Sequence, residues 1–516
     1  MFVSIEEDRM IESGLDQGST ASLAPAAGPR SGGGRHAGWR TTTRERVFYY
    51  LGDVGRMNGG NIVTVLGALF LLFQGVDVQV AAGLTLMVKV VDAVNDILFG
   101  FVVDRWRIQE WPVFRRFAGP GRYLPWYRSL FWLFPITVVL LFAMPSGLGD
   151  AEKLIWYFVL MVLFDFSYTF IEVPMNSLIM TLTDNPIERN TILRNRAIIF
   201  LFLTIVVSML WQFLISENVG LPLTGVAIVS MIILFLLMLP LAFGVKEHNP
   251  GLKNVDESAV RRYTFGEMLR VVRANKYMAI YLVSGAISLM LATGSAVTMF
   301  AAFYLFGNSF ILNLPNLIAL LPALALQLAS VRIAKRFGKR GPIVATGLVM
   351  AATSFALFFI PTSQTALIVA ILCVAGLPAT ILGTLRSFIA PDAIEYSRYK
   401  TGQDCSGIFF ALDSFVAKAF GGVGAALALF ALGLFQWTPV DAAGFGDLVA
   451  QNVPQSDLAL TGLWVLLTIV PACGILLSAL AMLFYDLKDS DAELMAHCNA
   501  GTITREECEA QLSRAY

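Results

Sequence analysis

Charge is scarce in this chain. Of 516 residues only 14% are Asp, Glu, Lys or Arg, against about a quarter in soluble domains, which excludes an ordinary water-soluble fold. The 37 acidic and 37 basic residues cancel, so no positive surplus points to a nucleic-acid partner. The three histidines (His36, His248, His497) are far apart, and the five cysteines (Cys373, Cys405, Cys473, Cys498, Cys508) fall at no metal-ligand spacing. With no nucleophile–base pair or metal cluster in view, the chain does not read as an enzyme, and no resident cofactor is expected. An apolar h-region is also lacking near the start: residues 1–46 are polar and rich in Gly, Ala, Ser and Arg. They read as a disordered cytoplasmic tail and not as a signal peptide.

What the chain has in quantity is long apolar runs. Hydrophobic residues make up 56%, with a mean hydropathy of +0.68. Blocks such as Gly225 to Val245 and Leu458 to Phe484 are long enough to cross a bilayer core of about 30 Å at about 1.5 Å per residue. Hydropathy places twelve spans, near 48–74, 79–104, 127–145, 153–180, 192–216, 221–245, 277–306, 309–332, 342–361, 365–390, 404–436 and 458–485. The expected fold is therefore an all-α membrane protein. An even count puts both termini on one side of the bilayer.

Lys and Arg decide which side. They cluster before the first span (Arg40, Arg44, Arg46), after the second, after the sixth and after the eighth (Arg332, Lys335, Arg336, Lys339, Arg340). The opposite loops, including the long one from Gln436 to Asp457, hold only Lys153. Both termini are thus expected in the cytoplasm, with the chain in the cytoplasmic (inner) membrane. The spans divide into bundles of six at 47–246 and 277–486, joined by a polar cytoplasmic linker at 247–276 and followed by a cytoplasmic tail at 487–516. Within that linker, Phe265 to Val272 looks helical; in the tail, Thr504 to Glu507 has the spacing of a capping box. Two short basic loops echo each other at corresponding places, one with Asp104 and Arg105, the other with Arg332 and Arg336, and are candidate gating loops. Two six-helix halves related by a parallel repeat resemble the major facilitator transporters.

Ionisable groups inside spans cost about 2.5–3.5 kcal/mol each on insertion scales, so those that persist line a cavity or pair with one another. Here they concentrate in a few helices: Asp53 and Arg56 in the first, Lys89, Asp92 and Asp96 in the second, Asp165 and Glu172 in the fourth, Arg194 and Arg196 in the fifth, and Asp413 and Lys418 in the eleventh. These helices are expected to face one shared interior. Asp92, Asn95 and Asp96, spaced i, i+3, i+4, share a helix face, with Lys89 one turn earlier on the same stripe. Hard cations prefer oxygen ligands, whereas two close carboxylates can instead share a proton. The stripe therefore reads as a coupling site for Na⁺ or H⁺. The plainer alternative is an ion-pair knot in which Lys89 and Lys418 neutralise Asp92 and Asp96 and nothing binds. Asp413 and Lys418, at i, i+5, are poorly placed to pair with each other and are expected to find partners on other helices.

Four ordered blocks carry a resemblance. They are Asp92-Ala-Val-Asn-Asp-Ile-Leu-Phe-Gly100 continuing to Asp104-Arg105 and Gly121 to Trp126; Glu172-Val-Pro-Met-Asn-Ser-Leu178; Thr183 to Arg189 with Arg196; and Asp392-Ala-Ile-Glu-Tyr396 with Lys400-Thr-Gly402. In these the chain resembles the glycoside–pentoside–hexuronide cation symporters, the melibiose permease branch of the major facilitator superfamily. The resemblance implies a Na⁺ site at Asp92, Asn95, Asp96 and Thr169, with Lys418 close to it. It also implies solute contacts from Glu172 and Arg196. Two family features are altered: Arg56-Met57 stands where the permease has Lys-Asp, and Asn176 where it has an aromatic. Asp53, one turn from Met57, is the candidate replacement carboxylate. The expected solute site is accordingly Asp53, Arg56, Glu172, Asn176 and Arg196, with a charge network of Lys89, Asp413 and Lys418. Trp211, Gln212, Tyr49 and Tyr50 are candidates for the remaining contacts, although each also suits an interfacial position.

The implied activity is cation-coupled symport of a sugar or glycoside by alternating access. Two other functions stay open: symport of a lysolipid or similar amphiphile on the same fold, and a non-transporting receptor or scaffold with long polar ends. The expected partners are a small-molecule solute and the bilayer, with no nucleic acid, and the chain is expected to act as a monomer.

Overall fold

From Thr43 onward, helix follows helix. The computed structural model describes residues 39–105, 108–183, 185–248, 272–402, 405–514 and Tyr516; of the second helix, the side chains at 93, 94 and 96–105 fall outside that description. The long elements are α1 (Thr43–Leu72), α2 (Val78–Arg105), α3 (Leu124–Phe142), α4 (Asp150–Leu182), α5 (Pro186–Ile215) and α6 (Leu223–Gly244). After residues 249–271, outside the description, come α7 (Lys276–Phe306), α8 (Leu320–Phe337), α9 (Arg340–Phe358), α10 (Thr365–Thr401), α11 (Ser406–Leu434) and α12 (Asp457–Met482). Two short helices close the chain, α13 (Asp489–Asn499) and α14 (Arg505–Gln511).

Among the described residues, nine helices are long and apolar enough to span a membrane, or ten if α8 and the short helix before it, which meet at 46°, form one span. The twelve apolar spans expected from hydropathy are not matched one for one. The helices left out are α1 and α2, of 30 and 28 residues. They are long enough to cross, at about 1.5 Å per residue, but carry ionisable groups along their length. Two other boundaries also differ. α10 runs on to Thr401, so Asp392, Glu395 and Lys400 belong to a helix and not to a loop. The proposed tail 1–46 ends earlier than expected: residues 1–38 lie outside the description, but Thr42 caps α1 in a capping box with Glu45. Buried Glu188 of α5 accepts hydrogen bonds from the Arg40 and Thr41 amides, each at 3.0 Å, and from the Thr41 hydroxyl. That partner is nearly 150 residues away in sequence, which is why composition alone read the segment as disordered. The linker helix expected at Phe265 to Val272 falls almost entirely outside the described residues.

Close helix contacts are made through small residues, as in other membrane bundles. On α1, Gly55 meets α6 so closely that an added Cβ would lie 2.6 Å from the Leu234 carbonyl oxygen. α2 packs along α11, with Gln79 against Gly433 and Lys89 against Gly422. As the numbers rise on one helix they fall on the other, so the two run antiparallel.

Among the described residues, the hydrogen bonds between α1–α6 and α7–α12 gather at the end bearing the α11–α12 loop. There Gly75 N donates to Val440 O (2.8 Å), Ala442 N to Phe73 O (3.1 Å) and Leu223 N to Ala443 O (2.9 Å). Asn218 and Asn308 exchange amide bonds of 3.1 and 3.4 Å, and Ser309 N donates to Glu217 Oε1 at 2.9 Å. Phe73 packs against Phe300 and Phe445 beneath these bonds. Lys153, the solitary basic residue of these loops, donates to Gln74 O at 2.8 Å and lies 3.8 Å from Asp441. This end of the molecule is sealed.

At the other end the tail is folded and docked. The capping box at Thr504 and Glu507 forms as expected and starts α14. Asp486 receives Arg514 (2.6 Å) and Lys276 (3.0 Å), and Asp491 accepts from the Tyr516 hydroxyl (2.6 Å). Lys339 bonds to Asp392 (2.5 Å) and, through its amide, to Asp489 (2.9 Å), while Asn499 donates to Glu395 (2.7 Å). The Asp392 to Tyr396 block is thus a dock for the tail. Of the candidate gating residues, Arg332 and Arg336 are exposed on α8, Arg336 lying against Phe337. In that loop the ionic contact is made instead by Lys339, whose side chain reaches Asp392. The side chains of Asp104 and Arg105 lie outside the described residues.

Candidate solute and cation sites

Three helices build the ionic cluster. On α1, Tyr49, Asp53 and Arg56 follow one another at helical spacing on one face; on α4, Tyr168, Glu172 and Asn176 do the same at i, i+4, i+8; α5 adds Arg196. Arg56 donates to Asp53 (3.0 Å), Glu172 (3.2 Å) and the Tyr168 hydroxyl (2.9 Å). Arg196 grips Asp53 with two bonds, 2.6 Å from Nε and 3.1 Å from Nη2, and donates to Asn176 Oδ1 at 3.0 Å. All five residues expected at the solute site therefore meet. Asp53 supplies a carboxylate beside Arg56 where Met57 cannot.

Burial is graded across this cluster. Asp53 and Arg56 are 2% and 1% exposed, whereas the Glu172 side chain is 25% and the Arg196 side chain 16% exposed. Asn176 is exposed. Two cations and two anions sum to zero, as burial in a low-dielectric bundle requires. The outer members, Glu172, Asn176 and Arg196, are the ones that can exchange an internal bond for one to a hydroxyl-bearing solute.

Two aromatic members escaped the sequence reading in part. Arg56 lies 5.5 Å above the Tyr168 ring and Arg196 lies 5.9 Å above the Tyr49 ring. Tyr49 is fully buried, so it is not an interfacial aromatic. Tyr168 was not singled out, although its place one turn before Glu172 was the available signal. Trp211 is buried in the core.

The α2 stripe forms a second group. Lys89 Nζ is 3.4 Å from Asp92 Oδ2, with Asp92 6% and Asn95 2% exposed. Both polar atoms of the Asn95 side chain lack a hydrogen-bond partner among the described residues. A buried carboxamide left this way is costly, and a bound cation or water would relieve it. α4 packs against α2 and carries Thr169 and Asp165, 2% and 6% exposed. The Asp96 side chain lies outside the described residues. The Lys89–Asp92 pair agrees with the ion-pair alternative; the orphaned Asn95 agrees with a ligand site. Lys418 is half-buried on α11.

A third group was not foreseen. Arg386 on α10 donates to the Tyr281 carbonyl (2.8 Å) and to Ser284 (3.3 Å), and its guanidinium lies 4.6 Å from the Tyr281 ring centroid. Asp413 of α11 interacts with the same tyrosine, so its partner is indeed on another helix. An arginine within an apolar run was the signal for this group. The ionisable side chains thus gather in three polar groups.

The pattern of the MFS/sugar transport protein family matches residues 48–489. The chain belongs to that family. It is therefore a transporter and not an enzyme, and its family is that of the glycoside–pentoside–hexuronide symporters. Relatives of this family member include the glucuronide carrier protein homolog of Escherichia coli K12, 26% identical over 87% of this chain and 93% of that protein. Another is the isoprimeverose transporter of Lactiplantibacillus pentosus, 24% identical over 88% of this chain and 90% of that one. Among solved structures, a bacterial homologue of the lysosomal transporter Spinster in an inward-facing, unoccupied conformation gives a TM-score of 0.56 at 14% identity, covering 85% of this chain and 96% of that chain. The xylose transporter XylE from E. coli, inward open, gives 0.51 at 15% identity over 86% and 96%. These likenesses establish a major facilitator fold in a multi-pass integral membrane protein.

Proposed function

We propose that this chain is a cation-coupled symporter that moves a sugar- or glycoside-type solute across the cytoplasmic membrane by alternating access. The observation that carries the reading is the neutral Asp53–Arg56–Glu172–Arg196 cluster, buried on one side and open on the other. Its outer groups bind solute hydroxyls. Asp92, Asn95, Asp96 and Thr169 hold Na⁺ or, through the carboxylates, H⁺. Linkage between the two sites makes each ligand raise the other's affinity by the same factor. In this reading α1 and α2 complete twelve spans in two six-helix halves, and both termini face the cytoplasm because the basic loops do. The sealed end is then the outer face, and the molecule is poised to open inward.

The pocket between α1–α6 and α7–α12 has a mixed lining, with Gln212, Ser295, Thr298 and Asn313 set among Val65, Leu69, Met299, Leu312 and Leu467, and so does not single out an amphiphile. The test is uptake into proteoliposomes of isoprimeverose and of a glucuronide, driven by an imposed Na⁺ or pH gradient. Concentrative uptake under one gradient is expected, abolished by Glu172→Gln and uncoupled from the ion by Asp92→Asn. No uptake under either gradient, or cation-driven uptake unaltered in Asp92→Asn, overturns the reading.

A further inference from the structure

We propose that a pocket at the breaks in α7, α8 and α12 is a second solute site, which takes the uncharged, hydroxyl-rich part of a carbohydrate between the sealed end and the ionic cluster. This rests on the transport reading above. The pocket has a volume of about 360 Å³, within the range of about 300–1,000 Å³ typical of small-ligand sites. It draws on both sets of helices, with Gln212 of α5 facing Ser295 and Thr298 of α7 and Asn313 before α8.

Its position follows from where helices fail to continue. α7 is interrupted between Met290 and Gly294, the segment before α8 bends by 46° at Ala319, and α12 breaks at Thr468. Ser295 and Thr298 follow the first break, Asn313 precedes the second, and Leu467, which also lines the pocket, adjoins the third. Irregular backbone inside a membrane protein is tolerated where it is buried in protein or lines a cavity.

The polar groups are complementary to a neutral polyol. Asn313 is 6% exposed, yet its amide nitrogen has no hydrogen-bond partner among the described residues, so a donor waits unused. Thr298 and Ser295 spend their protons on the Gly294 and Ala292 carbonyls (2.6 and 3.2 Å), which leaves their oxygen lone pairs as acceptors. A sugar hydroxyl both donates and accepts and can satisfy such a set. Among the described residues no ionisable side chain lines the pocket, so it selects hydroxyls and not a carboxylate or sulfonate. Met299 and Leu312 offer apolar surface to the ring face.

The pocket is distinct from the ionic cluster. Val65 and Leu69 of its lining stand nine and thirteen residues beyond Arg56 on α1, about 14 and 20 Å at about 1.5 Å per residue. Gln212 is sixteen residues beyond Arg196 on α5, about 24 Å by the same rise. A solute arriving from the sealed end, once opened, reaches this pocket first.

The test uses the full chain in proteoliposomes with isoprimeverose, p-nitrophenyl glucuronide and sulfoquinovose as probes. Any probe that stabilises the wild type against thermal unfolding and is taken up is carried forward. Asn313→Leu and Thr298→Val should each raise the KM for its uptake about fivefold, the worth of one neutral hydrogen bond, with thermal stability in the absence of probe unchanged. Should Asn313→Leu fail to fold, the isosteric Thr298→Val decides alone. Wild-type KM in the folded variants overturns the second site and leaves the symporter reading intact; no response of the wild type to any probe overturns both.

Discussion

Asp53 is the residue on which the ionic cluster depends. It bonds to two guanidiniums at once, through contacts of 3.0 Å to Arg56 and 2.6 and 3.1 Å to Arg196. Replacing it by Asn keeps the shape but changes the cluster from neutral to +1, with Arg56 only 1% exposed and Glu172 the remaining carboxylate against it. Removing one partner from a buried ionic group costs about 3–5 kcal/mol, because the surviving charge is left uncompensated. Asp53→Asn should lose about that much stability in equilibrium unfolding in mixed micelles and should lose solute uptake. Arg196→Gln added to Asp53→Asn restores neutrality. The double variant should therefore be more stable than Asp53→Asn alone, and the double-mutant cycle should give an interaction energy of about 1–3 kcal/mol. An Asp53→Asn variant as stable as the wild type, or a double variant less stable than the single, would refute the claim that charge balance holds this cluster.

Three further outcomes follow from contacts described above. A Cβ added at Gly422 would lie 2.2 Å from Lys89 Cγ, so Gly422→Ala should displace Lys89 from Asp92 and change the ion dependence of uptake while solute binding survives; identical ion dependence would show that the Lys89 contact is incidental. The docked tail should respond to pH and salt, because the Arg514 hydrogen bond holds the Asp486 carboxyl well below the usual carboxylate range. A lowered folded-state pKa stabilises above the unfolded value of about 3.9 and is lost as pH falls below it. The hydrogen-exchange protection of α13 and α14, relative to the unfolded chain at the same pH, should thus be high near neutrality and fall below about pH 4. At neutral pH, Arg514→Ala should expose the fully buried Cys508 to maleimide, read by site-resolved mass spectrometry; unchanged labelling would show that the clasp does not hold the tail.

Much of the site was legible because helix periodicity is a local property. The spacing of Asp92 and Asn95, of Glu172 and Asn176, and the position of Asp53 relative to Met57 are all set within one helix, and the structure brings the five solute-site candidates together. What joins helices was not legible in the same way. Nothing in the sequence pairs Arg56 with Glu172 rather than with Asp92. Glu188 reads as part of a motif, but its role as anchor for Arg40 and Thr41 depends on a contact across nearly 150 positions. The breaks in α7, α8 and α12 are invisible to hydropathy because a window averages over them, and α10 was ended early because its last turns are charged on the side that receives the tail. Arg386 is a lone cation in an apolar run, and its partners, the Tyr281 carbonyl and ring and the Ser284 hydroxyl, lie about a hundred positions away and leave no spacing to read.

The distribution of bonds between α1–α6 and α7–α12 bears on how such a protein can be driven. The six hydrogen bonds at the sealed end are mostly backbone or carboxamide, and at about 0.5–1.5 kcal/mol net each they hold it by about 3–9 kcal/mol. Moving a two-state equilibrium from 1:99 to 99:1 takes about 5.5 kcal/mol, so the seal is of the size that ligands can overcome. A ligand does so only through different affinities for the two states. The ionic cluster lies on α1, α4 and α5, and the bonds named within it do not cross to α7–α12; by itself it offers solute little reason to prefer one arrangement. Groups that touch both sets of helices are better placed to convert binding into movement. Lys89 of α2, packed on Gly422 of α11 beside Asp92, is one, and the pocket of Gln212, Thr298 and Asn313 beneath the seal is the other. In the symporter proposed above, coupling is therefore to be sought where α2 crosses α11 and where broken helices meet α5, with the ionic cluster supplying affinity.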